Sequence, residues 1–333
     1  MKAKLPNEVK ITLPNVSERR AVHILNPSSG GKNARKYYEA ALRSIEKAGG
    51  ETLTSEHCGH VTELVSELFA KDPFAHAVIY GGDGTVNEAV NGIMLSGHAH
   101  TASFSVIPQG SGNDFSKYMN DSGIFKPAEL NPLDLVKVTC GDHVRYFANM
   151  MNIGFDCDVV LATYRIKKST PFQGSLAYIA GIAATLLKRK AISAKISLTG
   201  CIPLGEKNPE SCTDTVIEKD ILLTACANSR FCGGGFCSAP LASVNDGFMD
   251  ILIVDNVSIP QFASLVSAYH DGTYIGENGE MPKKFTKVLS YHRCRKYEIS
   301  GPSHFCLDGE VLETGGNTVC AEVIPNATWF AAL

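Results

Sequence analysis

Short apolar runs alternate with amphipathic stretches over roughly the first 130 residues. The apolar runs are bounded by glycine, proline and polar residues, which is typical of buried strands. Strands are predicted at 20–25, 51–55, 77–80 and 103–107. Helices are predicted between them at 34–48, 61–70 and 87–95. Alternating strands and helices predict an α/β domain with a mostly parallel sheet.

From about Pro132 the pattern changes to successive strand-like runs separated by turns. These runs are DLVKVTC, VRYFANMMNIG, AKISLTG, DILLTACANS, FMDILIVDN, KVLSYHRCRKYEIS and TVCAEVIP. One clear helical segment, 174–190, interrupts them. The sequence therefore predicts a β-rich second domain.

Three of the predicted strands in the first domain end in small, polar turns. The turns are NPSSGG at 26–31, GGDG at 81–84 and PQGSGNDF at 108–115. Because ligands of parallel sheets gather at the carboxyl ends of the strands, the three turns can meet at one ligand. Ser111 is a candidate hydroxyl donor to a phosphate or a ribose.

The turn at 81–84 has the properties of a phosphate site. Its glycines allow a sharp turn, and Thr85 and Asn87 can cap the following helix, whose N-terminus attracts anions. Asp83 would repel a phosphate unless a cation stands between them. A magnesium-bound nucleotide satisfies that condition.

Three standard motifs do not fit these turns. A Rossmann fingerprint needs glycine at Asn87, and a P-loop needs glycine and Ser/Thr at Asn26 and Asn33. A nucleophile elbow at Ser111 needs glycine at 109 and 113, which are glutamine and asparagine.

Composition narrows the function classes. The 333 residues are 44% hydrophobic and carry a net charge of −3, so a basic nucleic-acid surface is not expected. Eleven cysteines lack CxxC spacing, which favours reduced, intracellular thiols. The His57/His60 and His98/His100 pairs are interpreted as surface or packing residues rather than metal ligands.

The segment 175–187 is the longest apolar run and is too short to cross a bilayer. Basic residues flank it, namely Arg165, Lys167, Lys168, Lys188, Arg189 and Lys190. A helix packed on the sheet with basic ends is favoured, and a surface that touches a membrane is the alternative.

Taken together, the motifs resemble the diacylglycerol kinase catalytic-domain family, which includes bacterial lipid kinases and the sphingosine and ceramide kinases. The resemblance rests on NPSSG at 26–30, GGDGTVNE at 81–88, PQGSGNDF at 108–115, NIGFDCDV at 152–159, GGGFCSAPLASVNDGFMDI at 233–251 and LDGE at 307–310. It covers nearly the whole chain, with six motifs in family order.

The resemblance implies a three-layer α/β domain similar to those of NAD kinase and phosphofructokinase, followed by a β-sandwich domain. It implies domains at 1–132 and 133–321, with 322–333 returning to the first. ATP would lie in the cleft between them. The nucleotide residues would be Asn26, Pro27, Ser28, Ser29, Gly30, Gly81, Gly82, Asp83, Gly84, Thr85, Asn87, Glu88, Gly110, Ser111 and Asn113. A threonine that touches ATP in the family corresponds to His57 in this sequence.

The LDGE motif carries the implied acceptor chemistry. Alternate positions allow Asp308 and Glu310 to face one cleft, although an ordinary Asp-Gly turn has the same sequence. The resemblance implies that this pair supplies the base for a lipid hydroxyl, with Glu310 slightly favoured, and that Asp83 positions magnesium and nucleotide.

The resemblance also implies a structural Mg²⁺ held by the Asp246 side chain and the carbonyls of Ser243 and Phe248. Oxygen ligands of this kind suit a hard cation. SVNDGFMD can also be a simple strand and turn.

The chain is therefore expected to be an ATP- and magnesium-dependent kinase of diacylglycerol or a similar membrane lipid. A sphingoid, ceramide or phosphatidylglycerol kinase and a catalytically silent nucleotide-binding regulator are alternatives. A cytoplasmic protein in peripheral contact with the inner face of the membrane is expected, as a possible homodimer.

Overall fold

The computed structural model describes residues 15–121, 125–126, 129–170, 174–188, 190–205 and 212–332. Its amino-terminal half contains four strands, namely β1 (Ala21–Leu25), β2 (Glu51–Thr54), β3 (His76–Gly81) and β4 (Ser103–Pro108). They pair in parallel in the order β4, β3, β1, β2. The predicted parallel sheet is confirmed.

Four helices accompany this sheet. They are α1 (Ala34–Lys47), α2 (His60–Lys71), α3 (Asp83–Leu95) and α4 (Asp114–Asp121). Apolar side chains of α2 and α3 pack with β1, β3 and β4 in one core. Because each helix follows a strand directly, the turns at the strand ends are held at one edge of the sheet.

The second half is built mainly from strands. They are β5 (Leu130–Cys140), β6 (His143–Phe147), β7 (Met150–Gly154), β8 (Ile192–Cys201), β9 (Thr213–Ala227), β10 (Met249–Asp255), β11 (Leu289–Cys294), β12 (Lys296–Ser300), β13 (His304–Leu307), β14 (Glu310–Glu313) and β15 (Val319–Ala331). Two further cores lie between these strands and their helices. The predicted fold class, an α/β domain followed by a β-sandwich-like domain, is confirmed.

Three helices lie in the described part of this half, where the sequence predicted one. They are α5 (Phe155–Ser169), α6 (Gly174–Lys188) and α7 (Ile259–Asp271). The prediction missed α5 and α7. The start of α7 carries a signal that could have revealed it, since Ser258 and Gln261 form a capping box and Pro260 lies in the first turn.

Two predicted strands are each broken in the structure. The run at 144–154 forms β6 and β7, and the run at 287–300 forms β11 and β12, which separate at Arg295. The hairpin of β13 and β14 was not predicted as a pair of strands.

The strand β15 joins the two halves of the molecule. It pairs antiparallel with β5 and β12, and its end pairs in parallel with β4 through Trp329 and Phe330. All fifteen strands in the described part of the chain consequently belong to one hydrogen-bonded sheet. The domain boundary at residue 132 stays a prediction.

Candidate active site

The turns after β3 and β4 pack directly against each other. A Cβ atom on Gly82 would lie 2.7 Å from the Cα of Gly110, and one on Gly110 would lie 2.5 Å from the Cα of Gly82. No side chain fits at either position, because real Cβ atoms do not approach backbone so closely. Both glycines are therefore required for the turns to meet.

The turn after β1 is tied to the same place. The Asn26 amide donates to Thr85 Oγ1 at 3.0 Å, and Ser29 Oγ lies 3.1 Å from the same atom. The Ser28 N–H donates to Asn26 Oδ1 at 2.9 Å, and Gly30 adopts a φ of 103°. The structure thus brings together the three predicted turns.

The helix α3 begins at Asp83, earlier than the sequence predicted. Gly82 is its N-cap, so Thr85 and Asn87 lie inside the helix and do not cap it. Amides of a first helical turn lack intrahelical partners and attract anions. A Cβ on Gly84 would have no neighbour within 4 Å, which leaves open space at this helix end.

Asn113 closes the turn after β4 on itself. Its side chain accepts from the Gly110 N–H at 2.7 Å and donates to the Gly110 carbonyl at 2.9 Å. Ser111 stays exposed and lines the cavity described below. Asn113 therefore shapes the turn, while Ser111 is available to a ligand.

A cavity of about 310 Å³ lies between these turns and the second half of the chain. Four acids line it, namely Asp83, Asp114, Asp156 and Asp308. Its volume is in the range of small-molecule sites. Carboxylates from both halves of the chain therefore face one space.

Asp308 lies in the two-residue turn between β13 and β14. Asp308 and Gly309 have φ angles of 45° and 96°, as a tight Asp-Gly hairpin requires. The Asp308 carboxylate accepts from the Met150 N–H at 2.8 Å and from the Asn87 amide at 3.0 Å. Burial, reinforced by repulsion from Asp83, raises the pKa of Asp308 to about 7.

Glu310 has a different environment from Asp308. It begins β14 opposite Leu307, is exposed, and does not line the cavity. The two acids were expected to face one cleft, but the intervening turn separates them. The structure therefore favours Asp308, and a catalytic role of Glu310 stays a prediction.

Asp114 is an acid that the sequence analysis did not select. Its Oδ2 accepts from the Gly234 N–H at 2.8 Å, and its buried Oδ1 has no hydrogen-bond partner among the described residues. Burial and repulsion from Asp83 raise the pKa of Asp114 to about 6. Its position within the PQGSGNDF motif is the sequence feature that could have identified it as a site residue.

The oxygen atoms in this cavity fit a hard cation. Asp114 Oδ1 and Asn152 Oδ1 are buried without a hydrogen-bond partner in the described structure, and Asp83 lines the same cavity. Magnesium prefers carboxylate and amide oxygens, and its charge would offset the repulsion among these acids.

Asp156 lines the cavity. It also lines an apolar pocket with Phe155, Ile182, Leu223, Phe236, Val254, Phe262, Leu265, Val266 and Tyr269. The Tyr269 hydroxyl donates to Asp156 Oδ2 at 2.7 Å, and burial raises the pKa of Asp156 to about 6. A polar cavity thus meets an apolar pocket at one carboxyl group.

Two family models match this chain and together cover most of it. Residues 20–148 match the diacylglycerol kinase catalytic domain, and residues 149–330 match the YegS C-terminal NAD kinase beta sandwich-like domain. The chain belongs to the bacterial diacylglycerol and lipid kinase family. It is a lipid kinase.

Known relatives cover most of the chain. It is 27% identical over 303 residues to a diacylglycerol kinase of Bacillus subtilis, spanning 88% of this chain and 90% of the relative. A diacylglycerol kinase of Staphylococcus carnosus is 27% identical over 299 residues, at 88% and 89% coverage. A crystal structure of a diacylglycerol kinase from Bacillus anthracis has a TM-score of 0.58 at 18% identity, with 94% and 96% coverage, and supports the fold.

Three residues predicted to bind the nucleotide in this lipid kinase have other contacts. Asn87 donates to the Tyr146 carbonyl at 3.0 Å as well as to Asp308. Glu88 accepts from the Val61 N–H at 3.2 Å, at the start of α2. His57 is exposed and stacks on His60, with ring centroids 4.6 Å apart. None of them lines the cavity.

His57, His60 and Glu63 bring possible metal-ligand atoms within 4.8 Å of one another, although these histidines were predicted not to bind metal. The Glu56 N–H donates to His60 Nδ1 at 3.0 Å, which directs the proton of a neutral ring to Nε2. That arrangement disfavours a metal at Nε2.

The predicted structural magnesium site lies in the turn before β10. Asp246 Oδ1 accepts from the Phe248 N–H at 3.0 Å, and Oδ2 accepts from the guanidinium of Arg293. Both carboxylate oxygens of Asp246, which is the single predicted carboxylate ligand, therefore accept hydrogen bonds from the protein. As arranged, these residues do not fit a magnesium ion.

Proposed function

We propose that this lipid kinase transfers the γ-phosphate of magnesium-bound ATP to a hydroxyl of diacylglycerol or a similar membrane lipid. The observation that carries the proposal is the shared cavity, where Asp308 of the second half and Asp83 of the first line one space. Kinases need a nucleotide and an acceptor hydroxyl side by side.

The glycine turns would hold the phosphates, because first-turn amides of α3 and the open space at Gly84 suit an anion. Asp83, Asp114 and Asn152 would hold the magnesium, whose charge offsets that of the phosphates. Ser111 would donate to the nucleotide from the cavity rim.

Asp308 would act as the base. It receives the proton of the lipid hydroxyl as the lipid oxygen bonds to the γ-phosphorus and the bond to the β-phosphate oxygen breaks, which releases ADP. A pKa of about 7 suits this task, since a base is most effective near the working pH. The Asn87 amide and the Met150 N–H hold the carboxylate in place.

A test of the function uses ATP labelled at the γ-phosphate and mixed micelles of single lipids. We expect labelled product from diacylglycerol or from ceramide, sphingosine or phosphatidylglycerol. Asp308→Asn serves as the inactive control. Nucleotide binding without transfer to any lipid would contradict the proposal and support a silent regulator.

Asp156 favours a narrower class of lipid as the phosphate acceptor. Apart from its reactive hydroxyl, diacylglycerol offers only ester acceptors, whereas ceramide, sphingoid bases and phosphatidylglycerol carry a second donor beside it. An ionised carboxylate can only accept hydrogen bonds. If Asp156 recognises such a donor, Asp156→Asn should lower kcat/KM for these three lipids more than for diacylglycerol. An equal change of kcat/KM for all four lipids would show that Asp156 does not select the acceptor.

The acceptor must reach the cavity from a membrane, and no helix in the described part of the chain is long and apolar enough to span one. On α5, Tyr164 lines the cavity and is 70% exposed. Arg165, Lys168, Lys188 and Lys190 are exposed on α5, on α6 and just after it. Arg189 and the Lys167 side chain lie outside the described part. We infer that this surface meets anionic lipid.

A cytoplasmic location and a homodimer stay predictions.

Charge removal tests this surface. Changing Lys168, Lys188 and Lys190 to glutamine should weaken partitioning onto anionic vesicles by about 10²-fold at low salt, at roughly 1 kcal/mol per lysine. Cosedimentation measures it. The control changes Lys36, Lys47 and Lys71, which are exposed on α1 and α2, and should have less effect. If the wild type fails to bind vesicles at both low and high salt, the inferred contact is wrong.

A further inference from the structure

A cluster of one arginine and two aspartates lies at the turn before β10. The Arg293 guanidinium donates to Asp246 Oδ2, and its Nε lies 3.5 Å from Asp250 Oδ1. The guanidinium also lies 5.7 Å from the centroid of the Phe248 ring. Only 13% of the Arg293 side chain is exposed, so this cation is held inside the protein.

The position of Arg293 conflicts with a metal at Asp246. A metal at Asp246 would have to share Oδ2 with this guanidinium or displace it. A dication bound there would also lie within a few ångströms of the guanidinium, and like charges repel strongly where water is scarce. The arginine and the metal therefore exclude each other.

Asp250 explains why a cation is needed here. It is 1% exposed, and Arg293 is the cation beside its carboxyl group. Without a cation nearby, the buried carboxyl group of Asp250 would face the exposed carboxylate of Asp246 uncompensated.

We propose that the guanidinium of Arg293 is the resident cation of this turn and replaces the structural magnesium, so that the second domain is stable without a metal. The guanidinium donates to Asp246 and its Nε lies near Asp250, so one planar cation serves both carboxyl groups. This inference concerns the stability of the fold and does not depend on which lipid is phosphorylated.

The wild type gives the first test, without nucleotide or lipid. Its melting temperature, followed by circular dichroism, should be the same in EDTA as in excess magnesium. A bound structural ion would instead raise it by about 5 to 10 °C at a hundredfold excess over its Kd. If magnesium does raise the melting temperature, the Asp246→Asn variant shows whether the ion binds at this turn. A magnesium response that this substitution abolishes overturns the proposal, and one that it leaves unchanged places the metal elsewhere and supports the proposal.

Arg293→Ala gives the second test. The variant should melt lower than the wild type in EDTA, and magnesium should restore part of the loss because the carboxylates are then free to bind it. Arg295→Ala is the matched control, since Arg295 is exposed and lies 5.1 Å from the same Phe248 ring. It should change neither property. An Arg293→Ala protein with wild-type stability would overturn the proposal, and should it fail to fold, the wild-type comparison decides alone.

Discussion

Replacing Asp308 by asparagine should lower turnover on the best lipid substrate by about 10² to 10⁴-fold, the usual contribution of a positioned base. Asparagine tolerates the positive φ of this turn, so the hairpin should form. Steady-state kinetics with saturating ATP measures the loss. The ATP affinity should change far less, because Asp308 is assigned to the acceptor.

Glu310→Gln is the matched control for this substitution. It removes an acid from the same hairpin, but one that is exposed and outside the cavity. We expect near-normal turnover. A large loss in Glu310→Gln together with normal turnover in Asp308→Asn would reverse the assignment of the base.

The pH dependence separates chemistry from structure. Since the pKa of Asp308 is about 7, kcat/KM of the wild type should fall about tenfold per pH unit well below pH 7, as the base becomes protonated. A purely structural role of Asp308 would not produce this limb. The asparagine variant should lack the part of this limb that is centred near pH 7.

Asp83→Asn should lower turnover on the order of 10² to 10³-fold, because it removes a charge assigned to the magnesium-bound phosphates. The fold should survive, since an asparagine oxygen can still accept the Phe115 N–H that Asp83 Oδ1 accepts at 3.1 Å. Near-normal turnover at saturating ATP would show that Asp83 has no such role.

A second effect of Asp83→Asn follows from repulsion. The charge of Asp83 raises the pKa of Asp308, so its removal should move the acid limb of the residual kcat/KM profile to lower pH. Glu88→Gln is the control, because Glu88 lies on the same helix but accepts from α2 outside the cavity. It should change neither the rate nor the profile by much.

Much of the fold could be predicted because its signals are local. Gly82 and Gly110 lie in turns that pack without side chains. Short apolar runs between amphipathic stretches indicate the parallel strands. The helix α5 was missed because FDCDVVLATYRIKKS mixes β-branched and polar residues, so its helical period is weak. Tertiary packing decides such segments.

The site was harder to predict because its contacts are distant in sequence. Asp308 meets Asn87, 221 positions away, and no local pattern distinguishes its carboxyl group from that of Glu310. In the structure the LDGE motif forms an ordinary Asp-Gly turn and also places Asp308 in the cavity. The turn interpretation and the site interpretation of the sequence are therefore compatible. Arg293 in contact with Asp246 could be found only once β11 was placed beside β10.

The strand β15 has a consequence for how the protein is made. Phe330 is buried against the rings of Phe104, Phe115 and Phe125 in the core of the first domain. Domains usually fold in the order in which the ribosome releases them. Here the half that emerges first lacks a core residue and a neighbour for β4 until about 200 residues later. The first half should therefore complete its core only after residue 330 has been synthesised.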